Sequence, residues 1–188
     1  MTETPNYEVL KKDKQFELRN YPGYIKAEVK VENSDYRTAV YRGFNILAGF
    51  IFGNNQQAKE LAMTAPVQVS SPTQIKMTKP VTIQEEDADS IVAFIMPSKY
   101  TLDTLPTPNN NKITFNQVEP HKMGVIRFSG YFSKEKVRKV KRELLERLTA
   151  DGYQTIGEFI IARYNPPWVP WFLARDEVMI QVEPIEDH

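Results

Sequence analysis

No cysteine occurs in the 188 residues of the chain. Disulfides, thiolate catalysis and zinc or iron–sulfur sites built on sulfur are therefore excluded. Histidine is almost as scarce, with His121 in a turn and His188 at the end, so a general base or an imidazole metal ligand has few candidates. Net charge is missing too. The 24 basic and 24 acidic residues cancel, leaving no long-range field to draw the chain to nucleic acid or to an anionic membrane. No apolar run reaches the length of a membrane span. The start, Met1-Thr-Glu-Thr-Pro-Asn6, has neither the basic nor the apolar region of a signal peptide, and a cytoplasmic location is expected. No Gly-x-Ser-x-Gly, P-loop, Gly-x-Gly-x-x-Gly or His-Glu-x-x-His pattern is found. The acidic pairs Glu85-Glu86 and Glu186-Asp187 fall in a turn and a tail, where solvated charge is the ordinary role. Enzymatic activity is not expected.

What is present is strand signal. Phe16–Tyr21 alternates apolar with polar residues, and Ile25, Ala27, Val29 and Val31 alternate with charge across the Pro22-Gly23 turn. Ser34 is placed to cap a helix from about Asp35 to Phe52, stopped by Gly53-Asn54-Asn55. Strands are predicted at 62–70, 75–84 and 90–96, and a loop at 101–111 with Pro106, Pro108 and three consecutive asparagines marks a boundary. The order then recurs, with strands at 112–119 and 123–131, a Ser133-capped helix over 134–149 ended by Asp151-Gly152, and strands at 159–164 and 177–183. Strand–turn–strand–helix–strand–strand thus appears twice. This predicts one α+β domain over 1–188, made of pseudo-repeats of about 7–100 and 112–183. Their antiparallel strands would join into one curved sheet or distorted barrel with a helix from each half packed on it.

The two helices differ. The second is heavily charged around a narrow stripe of Val137, Val140, Leu144 and Leu148. The first carries no charge from Gly43 to Ala58. With Tyr36, Val40, Gly43, Leu47 and Ile51 toward the sheet, about 100° per residue puts Tyr41, Asn45, Ala48 and Phe52 on the far side, with Phe44 at one margin and Arg37 beside them. A loop of the same chain, a flat ligand or a second copy could cover such a face. A second unusual stretch, Tyr164-Asn-Pro-Pro-Trp-Val-Pro-Trp-Phe-Leu-Ala-Arg175, gathers three prolines and both tryptophans. Trp168, Trp171 and Phe172 either fill the core or stand as a stiffened aromatic wall.

Tyr7-Glu-Val-Leu10, Phe16-Glu-Leu-Arg-Asn-Tyr21, Met63-Thr-Ala-Pro-Val67, Gly130-Tyr-Phe-Ser133, Tyr164-Asn-Pro-Pro-Trp168 and Arg175-Asp-Glu-Val178 together resemble the SOUL family of haem-binding proteins over almost the whole chain. The resemblance implies a distorted antiparallel β-barrel of two pseudo-repeats, similar to the small-molecule-binding domains of some bacterial transcription regulators. It also implies non-enzymatic, reversible binding of haem b or another porphyrin, as carrier, buffer or sensor. The porphyrin would lie against the first helix and the Pro-rich loop, that is, against Arg37, Tyr41, Phe44, Ala48, Phe52, Trp168, Trp171, Phe172 and Arg175. Arg37, Arg42 or Arg175 would pair with propionates, and Tyr41 offers a phenolate oxygen to iron. Where some members have a histidine proposed as axial ligand, this chain has Asn20, so apolar contact must supply most of the energy. At roughly 25 cal/mol per Å², covering about 300 Å² gives ~7 kcal/mol before ordering costs, which is micromolar binding at best. Another flat apolar ligand, a protein partner or a homodimer through the first helix would use the same surface.

Overall fold

The structure, a computed structural model, describes residues 5–32, 35–62, 65–70, 89–164 and 175–185. In chain order its elements are β1 (Glu8–Asp13), β2 (Phe16–Tyr21), β3 (Tyr24–Val31), α1 (Tyr36–Ile51), β4 (Val67–Ser70), β5 (Ser90–Ile95), β6 (Ile113–Val118), β7 (His121–Phe128), α2 (Lys134–Ala150), β8 (Tyr153–Arg163) and β9 (Asp176–Pro184). The expected strand at 75–84 and the Ser34 cap lie outside the described residues. The side chain that caps α1 is Asp35, whose Oδ1 accepts from the backbone N–H groups of Arg37 (2.9 Å) and Thr38 (3.1 Å). Gly53, at φ +101°, ends the helix, and buried Asn55 ties the following turn to the carbonyls of Phe50 and Lys59. Ser133 caps α2 as expected, accepting from Lys136 N–H at 3.1 Å.

Among the described residues nine strands form one antiparallel sheet in the order β1-β2-β7-β9-β8-β4-β5-β3-β6. The expected barrel is not closed. Among the described residues β1 and β6 remain at opposite edges with no ladder between them. Read outward from the β4–β8 pair, the order is symmetrical, β8-β9-β7-β2 on one side and β4-β5-β3-β6 on the other. The strand before each helix is β3 in one half and β7 in the other, and each pairs with the strand that precedes its counterpart in the opposite half, β6 and β2 respectively. Neither half completes its ladders alone.

Several strand bounds differ from the sequence reading. β7 begins at His121, expected in a turn, and ends at Phe128. β1 has all six residues exposed and no apolar period to reveal it; it is held by its ladder to β2 and by ion pairs of Lys11 with Asp151 and Asp13 with Arg147. β8 begins at Tyr153, because a bulge between Ile156 and Ile160, with Gly157 at φ +70°, interrupts its alternation. β4 is confined to Val67–Ser70.

Both helices lie on the same side of the sheet as the apolar residues of their own half. Ile25, Ala27, Val29, Val92 and Phe94 meet Leu47, Phe50 and Ile51 of α1. Phe16, Leu18, Ile126, Val178 and Ile180 meet Val137, Val140, Leu144 and Leu148 of α2. Tyr36 departs from its expected place, because it packs on the second of these cores with Phe132. α1 approaches β5 so closely that a Cβ on Gly43 would stand 2.6 Å from the Val92 side chain. A Cβ on Gly49 would meet nothing nearer than Asn54 at 3.9 Å. Gly43→Val is therefore expected to cost about 1–3 kcal/mol by overpacking. Gly49→Ala should instead gain about 0.5–1 kcal/mol of helix propensity. Urea unfolding of both variants measures the contrast.

Candidate functional site

The outer face of α1 follows from its composition. Tyr41 is 71% exposed and Phe52 65% exposed. At about 100° and ~1.5 Å per residue they share one line down the helix, about 16 Å apart. Arg37, Arg42 and Asn45 are exposed near Tyr41. Phe44 is half-buried, edge-on to Phe94 with ring centroids 5.5 Å apart. Ala48 falls on the same line as Tyr41 and Phe52 but is buried, 8% exposed. Trp168, Trp171 and Phe172 lie outside the described residues.

The residues that bound that last segment are described, and they belong to a buried ionic cluster on the sheet face that carries neither helix. Strand alternation puts Phe16 and Leu18 under α2 and turns Glu17, Arg19 and Tyr21 to the other face. There Arg19, fully buried, donates through both terminal nitrogens to Glu177, at 2.8 Å each, and through Nε to Glu17 Oε2 at 2.8 Å. Its Nη1 also donates to Tyr21 Oη at 3.1 Å, and the Tyr7 ring lies under its guanidinium at 4.3 Å. From just before β9, Arg175 donates to Glu177 Oε1 at 3.1 and 2.7 Å and covers the Tyr164 ring at 4.1 Å. Tyr164 donates its hydroxyl to Glu177 Oε2 at 2.9 Å, and its N–H to the Arg175 carbonyl at 3.2 Å. Arg175 is thus engaged by Glu177.

Burial alone would raise the Glu177 carboxyl, but the hydrogen bonds and charge of Arg19, then of Arg175, outweigh it and hold the group at about 2. Burial pushes the Tyr21 phenol up to about 12 against the opposing charge of Arg19. Arg19 itself is raised, its loss of water overcome by Glu177. These groups do not exchange protons near neutral pH. They hold strands together.

Elsewhere His121 holds its Nδ1 2.7 Å from the Glu119 carbonyl and stacks on Tyr21. A shallow cavity of about 280 Å³ between Tyr24, Met96, Tyr100 and Gln117 has no Asp, Glu, His, Lys or Arg in its lining, so it offers no acid–base pair. Among the described residues no group of three or more His, Asp or Glu side chains could hold a metal ion, and no helix is long and apolar enough to cross a membrane.

The sequence matches the SOUL heme-binding protein family across residues 2–181. The chain belongs to that family. Similar SOUL relatives include human Heme-binding protein 2, 25% identical over 154 residues, which are 81% of this chain and 71% of the relative. Mouse Heme-binding protein 2 is 24% identical over 175 residues, 88% of this chain and 81% of the relative. Among solved structures, the C-terminal domain of EcmrR superposes with a TM-score of 0.68 at 14% identity, covering 90% of this chain and 98% of that one. A hydrolase from Listeria innocua gives 0.60 at 11% identity, covering 93% and 94%. At these identities the structural likeness concerns the fold alone, a mostly antiparallel sheet with two helices shared with a bacterial regulator domain.

The SOUL motifs acquire a physical meaning in the fold. Tyr7, the Glu17–Arg19–Tyr21 trio, Tyr164, and Arg175 with Glu177 come from four separate motifs and meet at one carboxylate. Sequence reading missed this cluster because strand alternation alone assigns Arg19 to solvent. The available signal was that motifs far apart in the chain each carried one charged or phenolic residue with no periodic role.

The cluster has a pH signature. Glu177 sits below its ordinary value near 4.5 in the folded state, so its contribution is complete above pH 4.5 and is lost as pH falls toward 2. The wild type should lose about 3 kcal/mol over that window. Glu177→Gln should cost about 3–5 kcal/mol at pH 7, leaving buried Arg19 with Glu17 as its one remaining carboxylate among the described residues, and should flatten the acid limb. Urea midpoints measured from pH 7 to 2 give both slopes.

Proposed function

We propose that this protein binds haem b or a related tetrapyrrole reversibly and without turnover, at the outer face of α1, as carrier, buffer or sensor. The observation that carries the reading is the exposure of Tyr41 and Phe52 in line along α1, with Phe52 closing the half that has no charge. Single exposed apolar residues are ordinary, but rings aligned along one helix face mark a surface meant to be covered. A porphyrin, flat and apolar with acidic side chains, fits this row with Arg37 and Arg42 near one end.

The residues present suit such a guest by apolar contact more than by coordination. Tyr41 provides an exposed phenol oxygen, and the described residues hold no cluster of ligating side chains near it. When bound, haem would bring the iron-centred ligand and redox chemistry that the protein's own groups lack. Tyr41, Phe44 and Phe52 give the floor, with Ala48 sunk between the rings, and Trp168, Trp171 and Phe172 complete the wall in this reading. Arg37 takes the role of first propionate partner, since Arg175 is engaged by Glu177. The domain works as one unit over 1–188, its pseudo-repeats at about 7–100 and 112–183, a division supported by the symmetrical strand order. The balanced charge argues against nucleic acid as partner.

The same rings could form the seam of a homodimer, so hemin titration is best paired with light scattering. The expected result is a Soret shift with micromolar affinity on a monomer. The Tyr41→Asp/Phe52→Asp double variant and Trp171→Ala should each weaken binding at least tenfold, about 1.4 kcal/mol. Unchanged affinity in both would remove the site. A dimer that dissociates in the double variant but ignores hemin would favour self-association instead.

A further inference from the structure

At the N-terminal end of α1 the Tyr36 hydroxyl is sealed from solvent and has no hydrogen-bond partner among the described residues. A buried hydroxyl left unpaired carries a desolvation cost, and native folds seldom leave one without reason. Its surroundings are polar on one side. Its ring stacks on Phe132 with centroids 5.1 Å apart and planes 16° apart. Arg163 lies over the same Phe132 ring at 5.1 Å. Arg163 Nε donates to Asp176 Oδ1 at 3.1 Å, and no hydrogen bond of its two terminal amino groups is seen among the described residues. The Arg163 side chain is 35% exposed, while that of Asp176 is 3% exposed. Both charges are near enough to act on the Tyr36 phenol, and with burial leading they leave it raised.

This corner is continuous with the α1 surface. Tyr36, Val40 and Phe44 succeed one another at single-turn spacing and are all half-buried. They form a stripe running from the polar corner to the Phe44 margin of the ring row. A forked guanidinium with donors to spare and an unused hydroxyl, both packed on Phe132, supply donors that a carboxylate can accept.

We infer that Tyr36 and Arg163 receive a carboxylate of the bound ligand, which places the ligand's acidic edge on the Phe44 margin of α1. Asp176 holds the Arg163 stem and confines the guanidinium to that corner. The inference rests on the tetrapyrrole reading, and names a polar subsite that the exposed rings alone do not imply.

The test uses metal-free protoporphyrin IX and its dimethyl ester, titrated by fluorescence against the wild type and Tyr36→Phe. The ester keeps the ring and removes the charged oxygens, so a free carboxylate acting independently of the ring is separated from the ligand's own. The wild type should bind the diacid roughly tenfold better than the diester, and Tyr36→Phe should shrink that ratio by about the same factor. Thermal melting should show Tyr36→Phe at least as stable as the wild type, because it deletes a hydroxyl that has no partner in the free protein. Arg163→Lys, which keeps the charge and loses the fork, should fall between the two. If both porphyrins bind but the ratio is the same in wild type and Tyr36→Phe, this subsite is wrong and the α1 reading stands. If neither binds the wild type, both fall.

Discussion

The Glu177 carboxylate, with no exposed surface, holds the two ends of the chain's architecture together. Arg19 reaches it from β2, Glu177 itself lies in β9, Arg175 stands just before that strand, and Tyr164 reaches it from just after β8. A single buried carboxylate among arginines would be costly if any one partner were missing, because desolvation of the charge has to be matched by directed hydrogen bonds. Here both oxygens are occupied, one by Arg19 and Tyr164 and the other by Arg19 and Arg175. The arrangement therefore acts less as a source of net stability than as a restriction on how β2, β8 and β9 can meet. It also closes the base of the segment that carries both tryptophans, since Tyr164 N–H meets the Arg175 carbonyl beside it.

The exchange of strands between halves works in the same direction. β2 lies on β7 and β6 on β3, so neither half has a finished sheet without the other. Each helix then needs only to cover its own apolar patch, α1 over β3 and β5, α2 over β7, β8 and β9. α2 does so with a narrow stripe and a solvated charged back. α1 does so with small residues at the contact, Ala39 and Gly43, which let it sit close to Val92. The large rings that the contact has no room for, Tyr41 and Phe52, are left on the outside. The exposed row is thus a consequence of close packing as much as an independent feature, and it is what the tetrapyrrole reading builds on.

Much of the fold was legible along the chain. β2, β3 and β6 carry alternation, β5 and β9 hold short apolar runs, α2 shows its stripe, and proline, glycine and asparagine mark the breaks between them. β1 was not legible, because a strand with all six residues exposed has no burial pattern to leave in the sequence. The true extent of β8 was hidden by its bulge at Gly157. At the site, the missing charge of α1 pointed to Tyr41 and Phe52, whereas Ala48 shares their direction without sharing their exposure. Helical geometry gives the direction of a side chain; only the neighbours decide whether a small one is covered.

The chain's own order of residues determined what the molecule could not be, a thiol enzyme or a protein with a sulfur-ligated zinc, and it determined the twofold recurrence of elements and a first helix whose second half has no charge. Those properties are local or compositional, so they survive without coordinates. Tertiary structure alone decided which strands trade partners, that the sheet stays open at β1 and β6, and that Arg19 is an interior cation rather than a solvent-facing one. It alone also brought Tyr36 beside Phe132 and Arg163. These depend on residues far apart in sequence coming within a few ångströms, and nothing in a run of neighbouring residues records that distance.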